Sequence, residues 1–288
     1  MSTPHALPFS KLEALGNDFM LVDARSRPFD PDAATIRTWA DRHHGVGFDQ
    51  LLILRPADDP DPICRIEIRN GDGGEAEQCG NGMRAVALWL HDRGEARHHF
   101  ALETLGGPIE IRMDGPDVIS ASLGLPDFTP AAVGLRQVDA FPWQVDVDGH
   151  AVEAYGASLG NPHLLVLTDT APDAADLVRL GERLGRHQLL ERGANVGLAR
   201  VESPDRVLLR VFERGAGPTL ACGSGAAAAA AMLIELGRVD SPVEIVQPGG
   251  SLVVNWPGNG QAISATGPAR HVFEGVIPWP TRNRSTTK

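Results

Sequence analysis

Two hydrophobic patterns alternate along the chain. Residues 65–70 read RIEIRN, apolar at every second position, which is the period of a strand with one buried face. DPICRIEI (61–68) and LLRVFE (208–213) also read as strands. After Cys79 and again after Cys222 the pattern changes. CGNGMRAVALWLHDRG and CGSGAAAAAAMLIELGR each open with Cys-Gly-polar-Gly, continue as an apolar helical run, and reach a glycine fifteen residues after the cysteine, Gly94 and Gly237. The pattern predicts two helices, each entered through a glycine-rich turn that carries a thiol.

These motifs belong to a repeat. Cys79 and Cys222 are 143 residues apart, half the chain. Gly106-Gly107 in LETLGGPIEI and Gly249-Gly250 in EIVQPGGSLVV keep the same offset, and Asn17 of LGNDFMLV precedes Asn161 of LGNPHLLV by 144. GVGFDQLL from Gly45 weakly echoes NVGLARV from Asn195. Nine residues before Cys79 stands Asn70, and nine before Cys222 stands Glu213. Each half therefore reads as strands, a Cys-bearing turn, a helix and more strands, a duplication with pseudo-two-fold symmetry. The Pro-, Gly- and Ala-rich stretch 124–142 is the natural first linker.

Composition narrows the classes. The 288 residues suit about two domains, and 42% hydrophobic with 22% charged residues is ordinary for a soluble globular protein. Gly 32 and Pro 22 predict many turns and short strands. A net charge of −11 without a basic cluster argues against nucleic-acid or anionic-membrane partners. Residues 215–234 carry no charge, but four glycines and a proline precede the alanine run, so no membrane span is expected. The N-terminus lacks the basic start and apolar core of a signal peptide. Three cysteines, none in a CxxC, do not make a disulfide framework or a zinc ribbon, and a reducing cytoplasm is expected.

A thiol at the mouth of a helix meets the unpaired N–H groups of the first turn and the positive end of the dipole. An ordinary cysteine is only ~3% thiolate at pH 7; such a site lowers its pKa. The glycines let a ligand approach the backbone, and the N–H groups suit a carboxylate. Two such helices facing N-terminus to N-terminus would clamp one carboxylate and set a thiol on each face of the neighbouring carbon. That geometry removes a proton from one face and returns one to the other, as a racemase or epimerase does. Two close thiolates repel, so the titrations should couple. No PLP-lysine signature or Rossmann fingerprint is evident, and a cofactor-free mechanism is expected.

Other features read as structural. A lone buried cysteine is more often an inert small hydrophobe, which fits Cys64. His43-His44 and His98-His99 lack acidic or Cys ligands at metal spacing and read as solvated, so no metal is expected. GDGG at 71–74 reads as a turn. Asn17, Gln50, Asn70, Asn161, His163, Asn195, Glu213 and Arg214 lie in polar clusters. Each asparagine alone is more often a turn former, but several stand at strand ends in matching repeat positions. Arg214 is a ready carboxylate fork. A substrate needing Arg, Glu and several amides looks zwitterionic.

LGNDF, GFDQLL, NGDGGEAEQCGNGMRA, GNPH, NVG and ERGAGPTLACGSGAAAA together resemble the diaminopimelate epimerase family along nearly the whole chain. The resemblance implies an α+β fold of two pseudo-symmetric domains, each a curved, mostly antiparallel sheet around a central helix. Residues 1–124, with 269–288 returning, would form one domain, and 125–268 the other, with the active site between. It implies interconversion of LL- and meso-2,6-diaminopimelate without PLP or metal, in lysine and peptidoglycan precursor synthesis. Cys79 and Cys222 would be the acid/base thiols. Gly80, Asn81, Gly223 and Ser224 would offer N–H groups to the reacting carboxylate. Asn70, Asn195 and Arg214 would hold the distal end, and Asn17, Gln50 and Asn161 would complete the shell. His163 and Glu213 would assist near the thiols and the substrate amine. A homodimer is implied. The chain departs from the family pattern at Pro218, where relatives usually have Glu, in the alanine run, which lacks a further Cys, and at Phe273, where relatives often have Tyr. Competing readings are a proline-racemase-like enzyme, a redox protein closing a Cys79–Cys222 disulfide, and a non-catalytic amino-acid-binding module.

Overall fold

The structure is a computed structural model that describes residues 5–59, 61–76 and 78–279. The end of the expected returning segment, 280–288, lies outside the described residues. The first half runs β1 (His5–Ala14), β2 (Asn17–Asp23), α1 (Ala33–Ala40), β3 (Gln50–Arg55), β4 (Arg65–Asn70), β5 (Glu75–Ala76), α2 (Gly80–Asp92), β6 (His99–Thr104), β7 (Gly107–Gly115) and β8 (Val118–Ser122). A short helix α3 (Pro130–Val133) follows. The second half runs β9 (Trp143–Val147), β10 (His150–Ser158), β11 (Pro162–Leu167), α4 (Ala174–Gly185), β12 (Asn195–Ser203), β13 (Arg206–Glu213), β14 (Gly217–Thr219), α5 (Gly223–Glu235), β15 (Val243–Gln247), β16 (Gly250–Asn255), β17 (Ser264–Gly267) and β18 (Arg270–Trp279).

From β1 and β10 onward the two series match element for element, which is the repeat seen in the sequence. Pairing repeats as well. β2 runs parallel to β3 as β11 does to β12, and β4 parallel to β6 as β13 does to β15. Other neighbours, such as β1–β2, β12–β13 and β15–β16, are antiparallel. β8 and β17, equivalent strands, pair antiparallel and join the halves. β18 pairs with β1 along its length, the place that β9 takes beside β10. The fold is α+β, two pseudo-symmetric domains built on mostly antiparallel sheets around central helices.

Strand alternation decides which helix each residue meets. Phe19 and Leu21 of β2, with Leu52 and Leu54 of β3, point into the core around α2. Met20, Val22, Leu51 and Ile53 point the other way, onto Ile36 and Trp39 of α1. Such sheets are buried on both faces, so a period of two in hydrophobicity is lost there. α2 and α5 are both 13 residues long and buried on nearly every side. α2 fills its core with Met83, Val86, Leu88, Trp89 and Leu90. α5 does so with Ala226–Ala231, each at most 1% exposed. Alanine is the best helix former and its small volume lets the surrounding strands close in. The uncharged stretch 215–234 is thus divided between β14, a loop and α5, and no helix among the described residues is long and apolar enough to cross a membrane.

The halves touch where the site forms. Leu15 and Gly16 both have positive φ, 57° and 82°, and make the two-residue turn between β1 and β2. A Cβ on Gly249, in the β15–β16 turn, would lie 2.0 Å from the Leu15 carbonyl oxygen. Only glycine lets the second half approach that hairpin tip, just before Asn17.

Candidate active site

Each motif cysteine stands at the N-cap position of its helix, and Cys79 also caps it through its side chain. Cys79 precedes α2 in extended backbone, and its Sγ accepts the Gly82 N–H at 3.3 Å. Cys222 precedes α5 in the same way; its Sγ lies 3.6 Å from Ser224 Oγ, and its N–H donates to Gln247 Oε1 at 2.9 Å. The second glycine of each motif has a steric cause. A Cβ on Gly82 would sit 3.4 Å from Cys79 Sγ, and one on Gly225 would sit 3.2 Å from Cys222 Sγ. The first glycine brings the helices together: a Cβ on Gly223 would meet Asn81 Oδ1 at 3.1 Å and the Asn81 nitrogen at 3.8 Å. The helix starts therefore abut, and the positive ends of both dipoles converge. The first-turn N–H groups of Gly80, Asn81, Gly223 and Ser224 have no carbonyl one turn earlier to bond.

Both motifs open onto one cleft of about 980 Å³ between the halves. Asn17, Gln50, Asn70, Cys79, Gly80 and Asn81 line it from the first half; Asn161, Glu213, Arg214, Cys222, Gly223 and Ser224 line it from the second. Strand ends supply the polar residues because β3, β4, β11 and β13 start or finish at its rim. Gln50 Nε2 donates to Asn70 Oδ1 at 2.9 Å across the β3–β4 pair. Arg214 Nη1 donates to the carbonyls of Arg192 and Gly193 at 3.3 and 3.4 Å. Among the described residues no carboxylate pairs with Arg214, so its charge is free for a ligand.

His163 and Asn195 stand one layer back. They face each other across the parallel β11–β12 pair and are 3% and 6% exposed. His163 Nε2 lies 3.0 Å from Asn161 Oδ1, whose Nδ2 donates to Ser224 Oγ at 3.2 Å. Asn195 Oδ1 accepts the Arg214 N–H at 2.8 Å. Both orient cleft residues. Burial, and then Arg214, lower the His163 pKa to about 3, so its ring is neutral at physiological pH.

Burial pushes the Cys79 thiol up to about 11, while the Gly82 N–H pulls down and Glu213 pushes further up. Cys222 is raised well above its ordinary value by burial and by Glu213, which is hydrogen-bonded to it; Ser224 opposes. Glu213 is itself raised by burial, against the Thr219 hydroxyl that donates to its Oε1 at 2.6 Å. One carboxyl thus couples to both thiols. Cys64, buried in the first core, is pushed to about 12 by burial, as an inert thiol should be. His98 Nε2 lies 2.5 Å from Asp114 Oδ1 and His99 Nε2 lies 3.1 Å from Glu110 Oε2, all on the surface.

Sequence reasoning missed Asp49. Its Oδ2 accepts Asn17 Nδ2 at 3.0 Å, and its Oδ1 accepts Arg42 Nη2 at 2.8 Å. Asn17 in turn places its Oδ1 3.4 Å from Asn81 Nδ2 and 3.8 Å from Cys79 Sγ. The Asp lies inside the GFDQLL motif, next to Gln50, and only that adjacency marked it. Pro218 sits exposed on β14, paired with Phe212, where an edge strand tolerates a missing N–H.

The diaminopimelate epimerase family profile matches residues 9–128 and 155–272, one segment in each half. A diaminopimelate epimerase of Ectopseudomonas mendocina is 42% identical over 273 residues, 94% of this chain and 99% of the relative. An O-ureido-serine racemase of Streptomyces lavendulae is 43% identical over 282 residues, 96% and 97% of the two chains. Among solved structures, a probable proline racemase of Agrobacterium radiobacter shares the fold, with a TM-score of 0.72 at 13% identity over 96% of this chain and 94% of that one. With two N-cap cysteines on one cleft and these relatives along its length, the chain belongs to the diaminopimelate epimerase family.

Proposed function

We propose that this protein is a diaminopimelate epimerase, an isomerase that interconverts LL- and meso-2,6-diaminopimelate in lysine and peptidoglycan precursor synthesis. The observation that carries the reading is the abutment of two helix starts, each with a cysteine at its N-cap position, on one cleft. The reacting carboxylate sits on the N–H groups of Gly80, Asn81, Gly223 and Ser224. One cysteine, as thiolate, takes the α-proton. The electron pair left on carbon spreads into the carboxylate, where converging N–H groups and dipoles stabilise the added charge. The other cysteine, as thiol, delivers its proton to the opposite face. Configuration inverts, the atoms of the substrate are otherwise unchanged, and the two thiols have exchanged protonation states. Glu213 adjusts both thiols and faces the substrate amine, with His163 assisting through Asn161. Asn17, Gln50 and Asn161 complete the shell around the reacting end, and Asn70, Arg214 and Asn195 hold the distal end.

The units that close on the substrate are residues 1–124 with 269–288, and 125–268. Closure excludes water and strengthens the thiolate as a base. We place the enzyme in the cytoplasm, where its three free thiols stay reduced. It acts as a homodimer through β18, where Val272, Phe273 and Val276 are exposed.

The test is α-proton exchange. Reduced protein with LL-diaminopimelate in D₂O should deuterate the α-carbon and generate the meso isomer by NMR. Binding without exchange would leave an amino-acid-binding module instead. The O-ureido-serine relative supplies a second substrate, neutral at its far end. The unpaired Arg214 favours a carboxylate there, so O-ureido-serine should turn over at least about tenfold more slowly, the cost of one lost charged hydrogen bond. The reverse order would move the assignment to that racemase activity.

A further inference from the structure

Thr219 is the last residue of β14, three residues before Cys222. β14 folds back on β13, with Gly217 opposite Glu213 and Thr219 opposite Val211. Glu213 and Thr219 both line the cleft, and the Thr219 hydroxyl donates to Glu213 Oε1 at 2.6 Å. That is the length of a bond from a hydroxyl to an ionised carboxylate. A hydroxyl has one proton to give, and this one is committed to Glu213.

Few other groups reach that carboxyl. Among the described residues, the titratable groups that act on it are Cys222 at the start of α5, whose thiol donates to it, Cys79 at the start of α2, and Asp49 just before β3. None is a cation. Arg214, the next residue in the chain, turns to the carbonyls of Arg192 and Gly193 instead. Burial favours the neutral acid, and a hydrogen bond donated to the carboxylate favours the ion.

The repeat supplies an internal control. The 143-residue offset sets Asn70 against Glu213 and Ala76 against Thr219. β4 and β5 pair Ile68 with Ala76, as β13 and β14 pair Val211 with Thr219. The first half thus has the same hairpin with neither the carboxyl nor the hydroxyl, and its Asn70 Oδ1 accepts from Gln50 Nε2. A residue required only by the hairpin would be needed in both halves. The hydroxyl stands where the carboxyl stands.

We infer that Thr219 is a positioning residue for Glu213: its hydroxyl fixes one carboxylate oxygen and keeps the group charged, so that the remaining lone pairs serve the Cys222 thiol and the substrate amine. The service to the amine rests on the epimerase reading above; the hold on Glu213 does not.

The experiment is a pH titration of substrate-free protein labelled with ¹³C at the glutamate side-chain carboxyls and followed by NMR. The Glu213 signal is identified by its loss in Glu213→Gln. Thr219→Val keeps the β-branched shape and removes the hydroxyl. It should raise the Glu213 midpoint by about one pH unit or more, a tenfold loss of carboxylate below it. Thr219→Ser retains the donor and should stay close to wild type. With LL-diaminopimelate, the acid limb of kcat/KM should move to higher pH in Thr219→Val and return in Thr219→Ser. A threonine that only supports the hairpin would leave titration and limb in place. A Glu213 midpoint unmoved in Thr219→Val, or moved equally in Thr219→Ser, overturns the proposal. Should Thr219→Val not fold, Thr219→Ala removes the same hydroxyl and must give the same shift. Wild-type protein that does not turn over diaminopimelate would sink the epimerase reading, and the titration would still decide on Thr219.

Discussion

His163 allows a pH prediction whose size follows from burial. Its ordinary pKa of 6.5 falls to about 3 in the folded protein. Between those values the unfolded chain binds a proton that the folded chain refuses. Stability therefore falls as pH drops through that window and is fully retained above the unfolded pKa. At pH 5 the unfolded imidazole is almost wholly protonated and the folded one almost wholly neutral. The loss relative to pH 7 is about 2 kcal/mol, at ~1.4 kcal/mol per unit over the ~1.5 units travelled below 6.5. Any folded pKa below about 4 gives the same figure, because the buried ring stays neutral throughout the interval. Carboxylates also change with pH, so the comparison is with His163→Gln, whose amide can still donate to Asn161 Oδ1. Urea unfolding at pH 7 and pH 5 should show the wild type losing about 2 kcal/mol more than the variant. Equal losses would mean that His163 takes up a proton while folded, and would refute the neutral, buried donor inferred here.

Replacing either Cys79 or Cys222 by alanine should slow epimerisation at least about 100-fold, the usual worth of one acid/base group; full activity in either variant would sink the two-base mechanism. Gly225→Ala places a methyl 3.2 Å from Cys222 Sγ and 3.1 Å from Val211 Cγ2. It should cut turnover at least about tenfold through displacement of the thiol. Unfolding free energy should change by less than about 2 kcal/mol, since alanine's helix preference of about 1 kcal/mol offsets the crowding; unchanged turnover would show that the thiol does not need that space. Asn195→Ala leaves the Arg214 N–H without its acceptor. It should cost about 1–3 kcal/mol of stability and raise KM more than it lowers kcat. Steady-state kinetics with KM unmoved would detach Asn195 from the distal end.

The helix caps were legible because their causes are local. A cysteine followed by Gly-x-Gly and an apolar run specifies a cap, a close backbone and a helix within a few residues, and the run of alanines needs only neighbours that close in. The 143-residue offset makes the pseudo-symmetry readable in the sequence itself. The cleft asparagines and Gln50 were found by their place at strand ends in matching repeats. His163 and Asn195 were marked with them, but spacing cannot say which way a strand residue points. The parallel β11–β12 pairing turns both behind the cleft wall.

Asp49 carried no local signal of its place in the site. It matters because the β2–β3 pairing sets it against Asn17. The chain by itself determined the repeat, the two thiols, the helices they cap and the family to which the protein belongs, all of which are properties of adjacent residues or of exact recurrence. Only the tertiary structure decided that the two helix starts meet and that one carboxyl couples to both thiols. Those depend on contacts between residues up to half the chain apart, and on a local dielectric that exists only once the halves have folded together.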